Sequence, residues 1–323
     1  MTEINNTKYY AGIDIGGTFI KCGIVSENGE IIIKDKIPTK AKRPYSEIIK
    51  DMADIVNKLS NESGVKLTSV GVSVPGTVDS QNGVVIYCNN INWKMKPIVK
   101  ELSALLGIPV FITNDANAAA LGEMFTGTGK NYKNIILITL GTGVGGGIII
   151  NNNLYEGYMS AGAELGHMVI RKNGIKCSCG RKGCFEQYSS AKALIEQAKS
   201  GMLKDNQSKL WEICQNNVEN LCGETFFEGL KQNDNTAKKV FKKYIDYLAD
   251  GITNIVNIFR PEIILIGGGI SAFGDILLNP LKRLVNKRAY GGNKYAHVKI
   301  EIAQLGNDAG LLGAVKHAID SNK

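Results

Sequence analysis

An internal repeat constrains the fold of this chain more than any other feature of its sequence. The segment Ile13-Asp14-Ile15-Gly16-Gly17-Thr18 aligns with Ile138-Thr139-Leu140-Gly141-Thr142-Gly143, and Gly23-Ile24-Val25 then aligns with Gly147-Ile148-Ile149 after a slip of one residue. Each copy is followed by a turn signal, at Asn28-Gly29 and at Asn152-Asn153, and has the pattern of a strand, a tight turn and a strand. Two similar β-hairpins therefore open two halves of a duplicated core.

Strand-like and helix-like segments alternate after each hairpin. Apolar residues recur at helical spacing from Ile48 to Leu59, and the pattern predicts further helices between Pro97 and Gly107, from about Thr236 to Phe259 and from Asp308 onward. Buried strands are predicted at residues 70–74, 109–113, 135–140 and 263–266. This is a mixed α/β architecture. We predict a smaller domain of residues 1–117 with the C-terminal helix 306–323, a larger domain of residues 118–305, and a ligand cleft between them.

Composition limits the class of protein. A chain of 323 residues with 44% hydrophobic and 21% charged residues is long enough for two globular domains. No apolar stretch approaches the roughly 18 residues of a spanning helix, and Met1 to Asn6 lack the regions of a signal peptide. The seven cysteines do not form a disulfide framework. We expect a cytoplasmic protein with no membrane partner.

The formal net charge of +8 raises the question of nucleic acid binding, since 38 Lys and Arg face 30 Asp and Glu. The basic residues are dispersed. Clusters at residues 40–43, 238–239 and 242–243 interrupt amphipathic segments, which favours a solvated helix face over a nucleic acid surface. Attraction for a polyanionic small substrate such as a nucleotide is equally compatible with this charge. We expect no nucleic acid partner.

One short segment, residues 164–186, combines four soft metal ligands with two acids. His167, Cys177, Cys179 and Cys184 have the composition of a closed, tetrahedral zinc site. The alternatives are buried core cysteines, which the polar and glycine-rich sequence around them argues against, and a disulfide, which leaves one thiol over. A zinc site leaves the two flanking carboxylates, Glu164 and Glu186, free for another role.

Three glycine clusters follow strands, at residues 14–18, 141–147 and 267–269. Glycine lets backbone N–H groups approach an anion closely, although each cluster alone fits a simple tight turn. Together they favour the phosphates of a nucleotide. A Walker-type G-x-x-x-x-G-K-[ST] motif is absent, and a strand rather than a helix follows the first cluster, so neither a P-loop nor a dinucleotide fold is predicted. Asp14 either orients water around Mg²⁺ or caps its turn.

A second chemical site is predicted at Asn114-Asp115-Ala116-Asn117, where a strand ends and a helix begins. Helix capping accounts for one of these residues without any catalytic function. Asp115 at the end of a strand is suited to accept the proton of an attacking hydroxyl. Because the helix N-terminus stabilises an anion, we expect a lowered pKa and a weaker base at Asp115.

The motifs of this chain resemble those of a known family. Eight motifs occur in the order typical of the ROK (repressor, open reading frame, kinase) family. They are Asp14-x-Gly-Gly-Thr18, Pro75-Gly76-x-Val-Asp79, Asn90-x-x-Trp93, Asn114-Asp115-x-Asn117, Gly141-Thr142-Gly143, Glu164-x-Gly-His167, Cys177-x-Cys-Gly-x-x-Gly-Cys184-x-Glu186 and Leu305-Gly-Asn-Asp-Ala-Gly310. They span nearly the whole chain. Within the family, the set is most similar to bacterial ATP-dependent glucokinases.

The resemblance implies a duplicated, actin-like (ribonuclease H-like) ATPase fold with a zinc-binding insertion. It implies ATP with Mg²⁺, a structural Zn²⁺, and transfer of a phosphoryl group to the 6-hydroxyl of glucose. Asp115 is then the catalytic base. The implied sugar-binding residues are Gly76, Asn90, Asn114, Asp115, Glu164, His167 and Glu186. The implied nucleotide-binding residues are Asp14, Gly16, Gly17, Thr18, Gly141, Thr142, Gly143, Gly267, Gly268 and Gly269, and the zinc ligands are His167, Cys177, Cys179 and Cys184.

Other functions within and outside the family stay open at this stage. Kinases of N-acetylmannosamine, N-acetylglucosamine, fructose or allose are the nearest alternatives. A sugar-responsive repressor needs a DNA-binding module, and the first strand begins by Tyr9 or Tyr10, which leaves little room for one. An actin-like filament or chaperone ATPase leaves Glu164, His167 and Glu186 without a purpose. The resemblance also implies a homodimer.

Overall fold

The computed structural model describes residues 7–292 and 297–322 and shows a mixed α/β protein. Its strands are β1 (Tyr9–Ile15), β2 (Phe19–Ser26), β3 (Ile31–Pro38), β4 (Leu67–Val74), β5 (Thr77–Asp79), β6 (Val84–Cys88), β7 (Trp93–Lys96), β8 (Val110–Asn114), β9 (Ile135–Leu140), β10 (Val144–Ile150), β11 (Asn153–Leu154), β12 (Ile263–Gly267) and β13 (Lys299–Ile302). Its helices are α1 (Tyr45–Ser63), α2 (Ile98–Leu106), α3 (Asp115–Phe125), α4 (Glu186–Ser189), α5 (Ala191–Met202), α6 (Leu210–Ile213), α7 (Gly223–Lys231), α8 (Asn235–Phe259), α9 (Asp275–Arg288) and α10 (Ala309–Ser321). None of the described helices is long and apolar enough to cross a bilayer.

The first five-stranded sheet has the order β3-β2-β1-β4-β8. Strands β1, β2 and β3 form the antiparallel hairpins predicted from the repeat, whereas β4 pairs in parallel with β1 and with β8. Almost every residue of β4 is buried, as in a parallel strand covered on both faces. Helices α1, α2 and α10 all pack against strands of this sheet.

Strand glycines allow α10 to lie very close to the first sheet. A Cβ atom on Gly71 of β4 would lie 1.8 Å from the Ala314 carbonyl oxygen, and one on Gly12 of β1 would lie 2.4 Å from that of Leu311. Any larger residue at these positions would push the helix away. The two glycines therefore fix how α10 packs on β1 and β4.

The second five-stranded sheet has the order β11-β10-β9-β12-β13. It repeats features of the first sheet, with the antiparallel pair β10 and β11 at one edge and the parallel pair β12 and β13 at the other. The long helix α8 packs against α5 and α9. Asp234 caps its start, because the side chain accepts a hydrogen bond of 2.7 Å from the Ala237 N–H.

The chain divides into two compact units. The first comprises Met1–Ile135, Gly147–Ala163 and Gln304–Lys323, and the second comprises Ile136–Gly146 and Glu164–Ala303. Helix α3 belongs to the first unit because it packs against α10, where a Cβ on Gly313 would lie only 1.6 Å from the Ala118 carbonyl oxygen. This division differs from the boundary at residue 117 that we infer from the sequence, and the domain assignment itself stays a prediction.

A third, three-stranded sheet was not anticipated from the sequence. It has the order β5-β6-β7 and both strand pairs are antiparallel. Its strands are only three to five residues long, which is too short for a clear period of two to emerge. This small sheet carries Gly76 and Asn90 on the loops at its ends.

Candidate active site and metal centre

The junction of β8 and α3 fixes the predicted catalytic segment. Asn114 is the N-cap of α3, and its Oδ1 accepts hydrogen bonds from the backbone N–H groups of Ala116 (2.9 Å) and Asn117 (3.4 Å). Its Nδ2 donates to the Gly76 carbonyl oxygen at 2.7 Å. One side chain therefore both starts the helix and holds the Gly76 loop against it.

Gly76 occupies a position that only glycine tolerates easily. Its φ is +95°, and a Cβ there would lie 2.3 Å from the Tyr87 carbonyl oxygen. The tight turn brings Gly76 against the end of β6. The structure thus places two predicted sugar-binding residues, Gly76 and Asn114, in direct contact.

Asp115 lies in the first turn of α3, where the residue is exposed to solvent although protein groups crowd its carboxyl. The partial loss of water around the carboxyl raises the pKa of Asp115 to about 6, and the nearby negative charge of Asp14 adds to this, whereas the Ala116 N–H lowers it. The lowered pKa that we expect from the helix N-terminus is therefore wrong. The stabilising N–H is present, but the cost of removing the carboxylate from water outweighs it.

Asp14 lies at the end of β1 and is held by two neighbours. Its Oδ2 forms an ion pair of 3.2 Å with Lys21 Nζ, and its Oδ1 accepts a hydrogen bond of 3.0 Å from Ser73 Oγ. Lys21 also donates to the Asn307 carbonyl oxygen at 3.3 Å. Ser73 was missed in the sequence, because a serine inside a buried strand gives no signal of its contact with a carboxylate from another strand.

The first glycine cluster lies beside Asn90. A Cβ on Gly17 would lie 3.2 Å from the Asn90 carbonyl oxygen, so the cluster and the predicted wall of the sugar pocket are adjacent within the first unit. Thr39 stabilises this turn, since its Oγ1 donates to the Gly16 carbonyl oxygen at 2.7 Å and its N–H donates to that of Thr18 at 2.9 Å.

In the second unit, the four predicted zinc ligands come together. One ligand atom from each of His167, Cys177, Cys179 and Cys184 lies within 4.8 Å of all the others. Cys177 Sγ lies 3.6 Å from His167 Nδ1, and Cys179 Sγ lies 3.6 Å from Cys184 Sγ. Ligands about 2.3 Å from a tetrahedral Zn²⁺ are separated by about 3.8 Å, so the cluster fits this metal.

The backbone around the cysteines forms tight turns. The Cys177 N–H donates to the Arg181 carbonyl oxygen at 2.8 Å, and Gly180 and Gly183 have φ values of +89° and +83°. Burial raises the pKa of Cys177, and that of Cys184 to about 12. A bound divalent cation supplies the positive charge that such thiols need to ionise, and its gain in free energy would stabilise the loop.

Glu186 links the cysteine cluster to the second glycine cluster. Its Oε1 lies 3.1 Å from Cys177 Sγ and 3.8 Å from His167 Nδ1. A Cβ on Gly143 would lie 2.8 Å from its Oε2. Glu164 precedes the 3₁₀ turn Leu165–His167, and its carbonyl oxygen accepts the His167 N–H at 3.0 Å. The two predicted acids therefore lie next to the predicted metal ligands.

The second and third glycine clusters are also neighbours within the second unit. Gly268 has a φ of +83°, and a Cβ there would lie 2.4 Å from the Leu140 carbonyl oxygen. The Gly141 carbonyl oxygen accepts the Ala191 N–H at 2.9 Å, which ties the loop to the start of α5. The fold thus gathers two glycine-rich turns after β9 and β12, as a phosphate-binding surface requires.

Comparison with known proteins identifies the family. The model of the ROK family matches residues 10–321. The chain belongs to the ROK family. A glucokinase of Halalkalibacterium halodurans is 38% identical over 312 residues, which cover 95% of this chain and 93% of the relative. The ROK family glucokinase of Streptomyces griseus, solved with glucose and AMPPNP, has a TM-score of 0.80 and 34% identity, with 95% of this chain and 98% of that chain covered.

The similarity extends to regulators. A xylose repressor of Bacillus subtilis is 33% identical over 318 residues, which cover 97% of this chain and 77% of the repressor. The ROK fold is therefore common to kinases and repressors among these relatives. The α/β, actin-like ATPase fold predicted from the sequence is confirmed by the ROK glucokinase structure.

Proposed function

We propose that this protein is an ATP-dependent sugar kinase that transfers a phosphoryl group to the 6-hydroxyl of glucose, with Asp115 as the general base. The observation that carries the proposal is the position of the Asp115 carboxyl, which is accessible at the junction of β8 and α3 and has a pKa raised to about 6. A base works best when its pKa lies near the working pH, because it is then ionised yet still binds a proton well. The glucokinase relatives supply the class of substrate.

The proposed reaction needs one base to accept one proton. Ionised Asp115 accepts the proton of the sugar 6-hydroxyl as its oxygen attacks the γ-phosphorus of ATP. The new O–P bond forms while the bond from the γ-phosphorus to the bridging oxygen breaks, and ADP leaves with that electron pair. Asn114 keeps the first turn of α3 in place, so that Asp115 needs no rearrangement during the reaction.

Nucleotide binding is assigned to backbone N–H groups of the three glycine clusters. Mg²⁺ bound with ATP would neutralise charge on the phosphates. We assign to Asp14 the role of holding a water of that ion, and its ion pair with Lys21 orients the carboxylate. The close approach of Gly17 to Asn90 supports a nucleotide site next to the proposed sugar pocket.

Sugar recognition is assigned to carboxylates, amides and one imidazole. The residues assigned to it are Gly76, Asn90, Asn114, Glu164, His167 and Glu186. Such groups pair with adjacent hydroxyls, and a site built from them rejects an analogue that lacks one. Zn²⁺ bound by His167 Nδ1 and the three cysteines would fix the loop, which leaves His167 Nε2 for the sugar.

A coupled assay of ADP release tests the function and its nearest alternatives together. The substrates are glucose, mannose, fructose, allose, N-acetylglucosamine and N-acetylmannosamine, each at several concentrations. We expect the highest kcat/KM with glucose. Faster turnover of an N-acetylhexosamine would replace glucose as the substrate. Hydrolysis of ATP that no sugar accelerates, or sequence-specific DNA binding in a shift assay, would contradict the kinase proposal itself.

A further inference from the structure

Glu123 is a buried carboxylate with no role in the site described above. It lies near the C-terminal end of α3. Its Oε1 accepts a hydrogen bond of 2.8 Å from the Leu305 N–H, and its Oε2 accepts one of 2.9 Å from the Thr128 N–H. Burial raises the pKa of Glu123, whereas these two N–H groups and that of Gln304 lower it. The carboxylate is therefore held by backbone donors from two other segments of the chain.

A carboxylate in this position costs free energy that an apolar side chain would not. A buried carboxylate loses its hydration and has to be compensated by hydrogen bonds, whereas an apolar residue of similar size needs none. The space around Glu123 is also tight, since a Cβ on Gly127 would lie 2.1 Å from its Oε2. What Glu123 provides in return is a fixed position for Leu305, and for the turn that follows it, against α3.

The segment Leu305–Gly310 is a sequence motif that the proposed function leaves without a role. Its Asn307 carbonyl oxygen accepts a hydrogen bond of 3.3 Å from Lys21 Nζ, and the same Nζ forms the ion pair of 3.2 Å with Asp14. At the end of the motif, a Cβ on Gly310 would lie 2.8 Å from the carboxyl carbon of Asp14. The motif therefore packs against Asp14 and also contacts it through Lys21.

The turn after Leu305 is also held at the protein surface. Lys34 Nζ lies 2.7 Å from Asp308 Oδ2, but both side chains are partly exposed, and such ion pairs contribute little to stability. The hydrogen bonds of Glu123 are charge-assisted and shielded from water, so they hold the turn more firmly. Glu123, Asp14 and all the residues that link them belong to the first unit.

We propose that Glu123 is a positioning residue for Mg²⁺ bound with ATP. It fixes the turn at Leu305, whose Asn307 carbonyl holds Lys21. Lys21 in turn orients the carboxylate of Asp14, to which a water of the ion is assigned. The inference rests on the proposed function for this role of Asp14. Residues that orient a metal-binding group in this way typically contribute about 10- to 100-fold to metal affinity.

Glu123→Gln tests this role, because it keeps the shape of the side chain but replaces one accepting oxygen by a donor. Asp234→Asn is the matched control, since Asp234 is also a buried carboxylate that accepts backbone N–H groups, those of Lys209 and Ala237, but in the second unit. Binding of a non-hydrolysable ATP analogue is measured by titration calorimetry with Mg²⁺ and with EDTA. The ratio of the two Kd values gives the Mg²⁺-dependent gain in affinity.

We expect Glu123→Gln to lower this gain about tenfold, while the Kd in EDTA and the Kd for glucose stay close to the wild-type values. Thermal unfolding should show a lower Tm for both variants, because each loses bonds of a buried carboxylate. Only Glu123→Gln should change the gain. Glu123→Asp keeps both oxygens on a shorter side chain and should give a smaller loss of the same kind, which serves as the test if the glutamine variant does not fold.

A double variant checks the route from Glu123 to Asp14. Lys21→Met breaks the link between the Asn307 carbonyl and Asp14, so Glu123→Gln should cause no further loss of the gain in that background. A further loss of similar size would contradict a route through Lys21. An unchanged gain in a folded Glu123→Gln protein, or an equal loss in Asp234→Asn, would overturn the proposal.

These measurements separate the role of Glu123 from the kinase reaction. A wild-type protein whose Mg²⁺-dependent gain is lowered by Glu123→Gln, but which phosphorylates no sugar, would keep the positioning role and remove the proposed function. A protein that phosphorylates glucose and shows the same gain with and without Glu123→Gln would do the reverse. Binding of the analogue that does not depend on Mg²⁺ in the wild-type protein would contradict the role assigned to Asp14 and, with it, that of Glu123.

Discussion

Glu186 Oε1 lies 3.1 Å from Cys177 Sγ, so a proposed sugar ligand touches a proposed zinc ligand. The same carboxylate reaches His167 Nδ1 at 3.8 Å and approaches the second glycine cluster at Gly143. A shift of Cys177 or His167 would therefore move the Glu186 carboxylate directly, because no residue lies between them. In the proposed site, a zinc ion bound by the cysteine cluster would support the groups that recognise the sugar.

Cys179→Ser tests this coupling. We expect loss of bound zinc, a lower Tm and a higher KM for sugar, because a ligand is lost and Glu186 is no longer held. Metal analysis of the purified protein, thermal unfolding and steady-state kinetics measure the three effects. Cys222→Ser is the matched control, since Cys222 is also exposed but lies outside the cluster. Wild-type protein without zinc would contradict the metal assignment.

Asn114→Ala removes the cap of α3 and the bond to Gly76. We expect a stability loss of about 1 kcal/mol, typical of a lost N-cap, together with a higher KM for sugar. Asn114→Ser keeps a capping oxygen but is too short to reach the Gly76 carbonyl. The serine variant should therefore recover the stability but not the KM, as measured by denaturant unfolding and kinetics. Recovery of both would show that the bond to Gly76 has no part in sugar binding.

Gly76→Ala tests the tight turn directly. We expect a raised KM and reduced stability, because the new Cβ would lie 2.3 Å from the Tyr87 carbonyl oxygen at a φ of +95°. Gly64→Ala is the control for backbone strain alone, since Gly64 has a φ of +67° with nothing within 4 Å of the added atom. A positive φ costs about 1–2 kcal/mol in either variant. Only the Gly76 variant should change the KM.

Asp115→Asn should stabilise the protein at neutral pH while it lowers kcat. A carboxyl whose pKa is raised to about 6 on folding ionises less readily in the folded than in the unfolded protein. The free energy of unfolding therefore falls as the pH rises from about 4 through 6. Asparagine carries no such penalty. Thermal unfolding of both proteins at pH 4 and 7.5 should show the variant to be more stable only at pH 7.5; a less stable variant there would contradict the raised pKa.

The fold could be predicted from the sequence where patterns are long or duplicated. The repeat at Ile13 and Ile138 gave the two hairpins, and the regular spacing in α1 and α8 gave the longest helices. Short strands such as β5 had too few residues to show a period. The packing of α3 on α10 depends on small residues far apart in the chain, Ala118 and Gly313, whose contact no local pattern reveals.

The site was predicted unevenly for a similar reason. The four ligands of the cysteine cluster are close in sequence, so their spacing was informative. The bond between Asn114 and Gly76 and the contact between Ser73 and Asp14 join different elements, and these appear only when the chain is folded. The pKa of Asp115 was misjudged because the helix N-terminus is visible in the sequence, whereas the protein groups that displace water from the carboxyl are not.

The most direct test of the central proposal compares glucose phosphorylation by the wild-type protein and Asp115→Asn, with ATP and glucose binding measured separately by calorimetry. We expect the wild-type kcat/KM to fall tenfold per pH unit below about pH 6, and the variant to bind both ligands while it loses about 10²- to 10⁴-fold in kcat. Near-normal turnover by Asp115→Asn, or a wild-type rate that does not change between pH 5 and 7, would contradict the role of Asp115 as the general base.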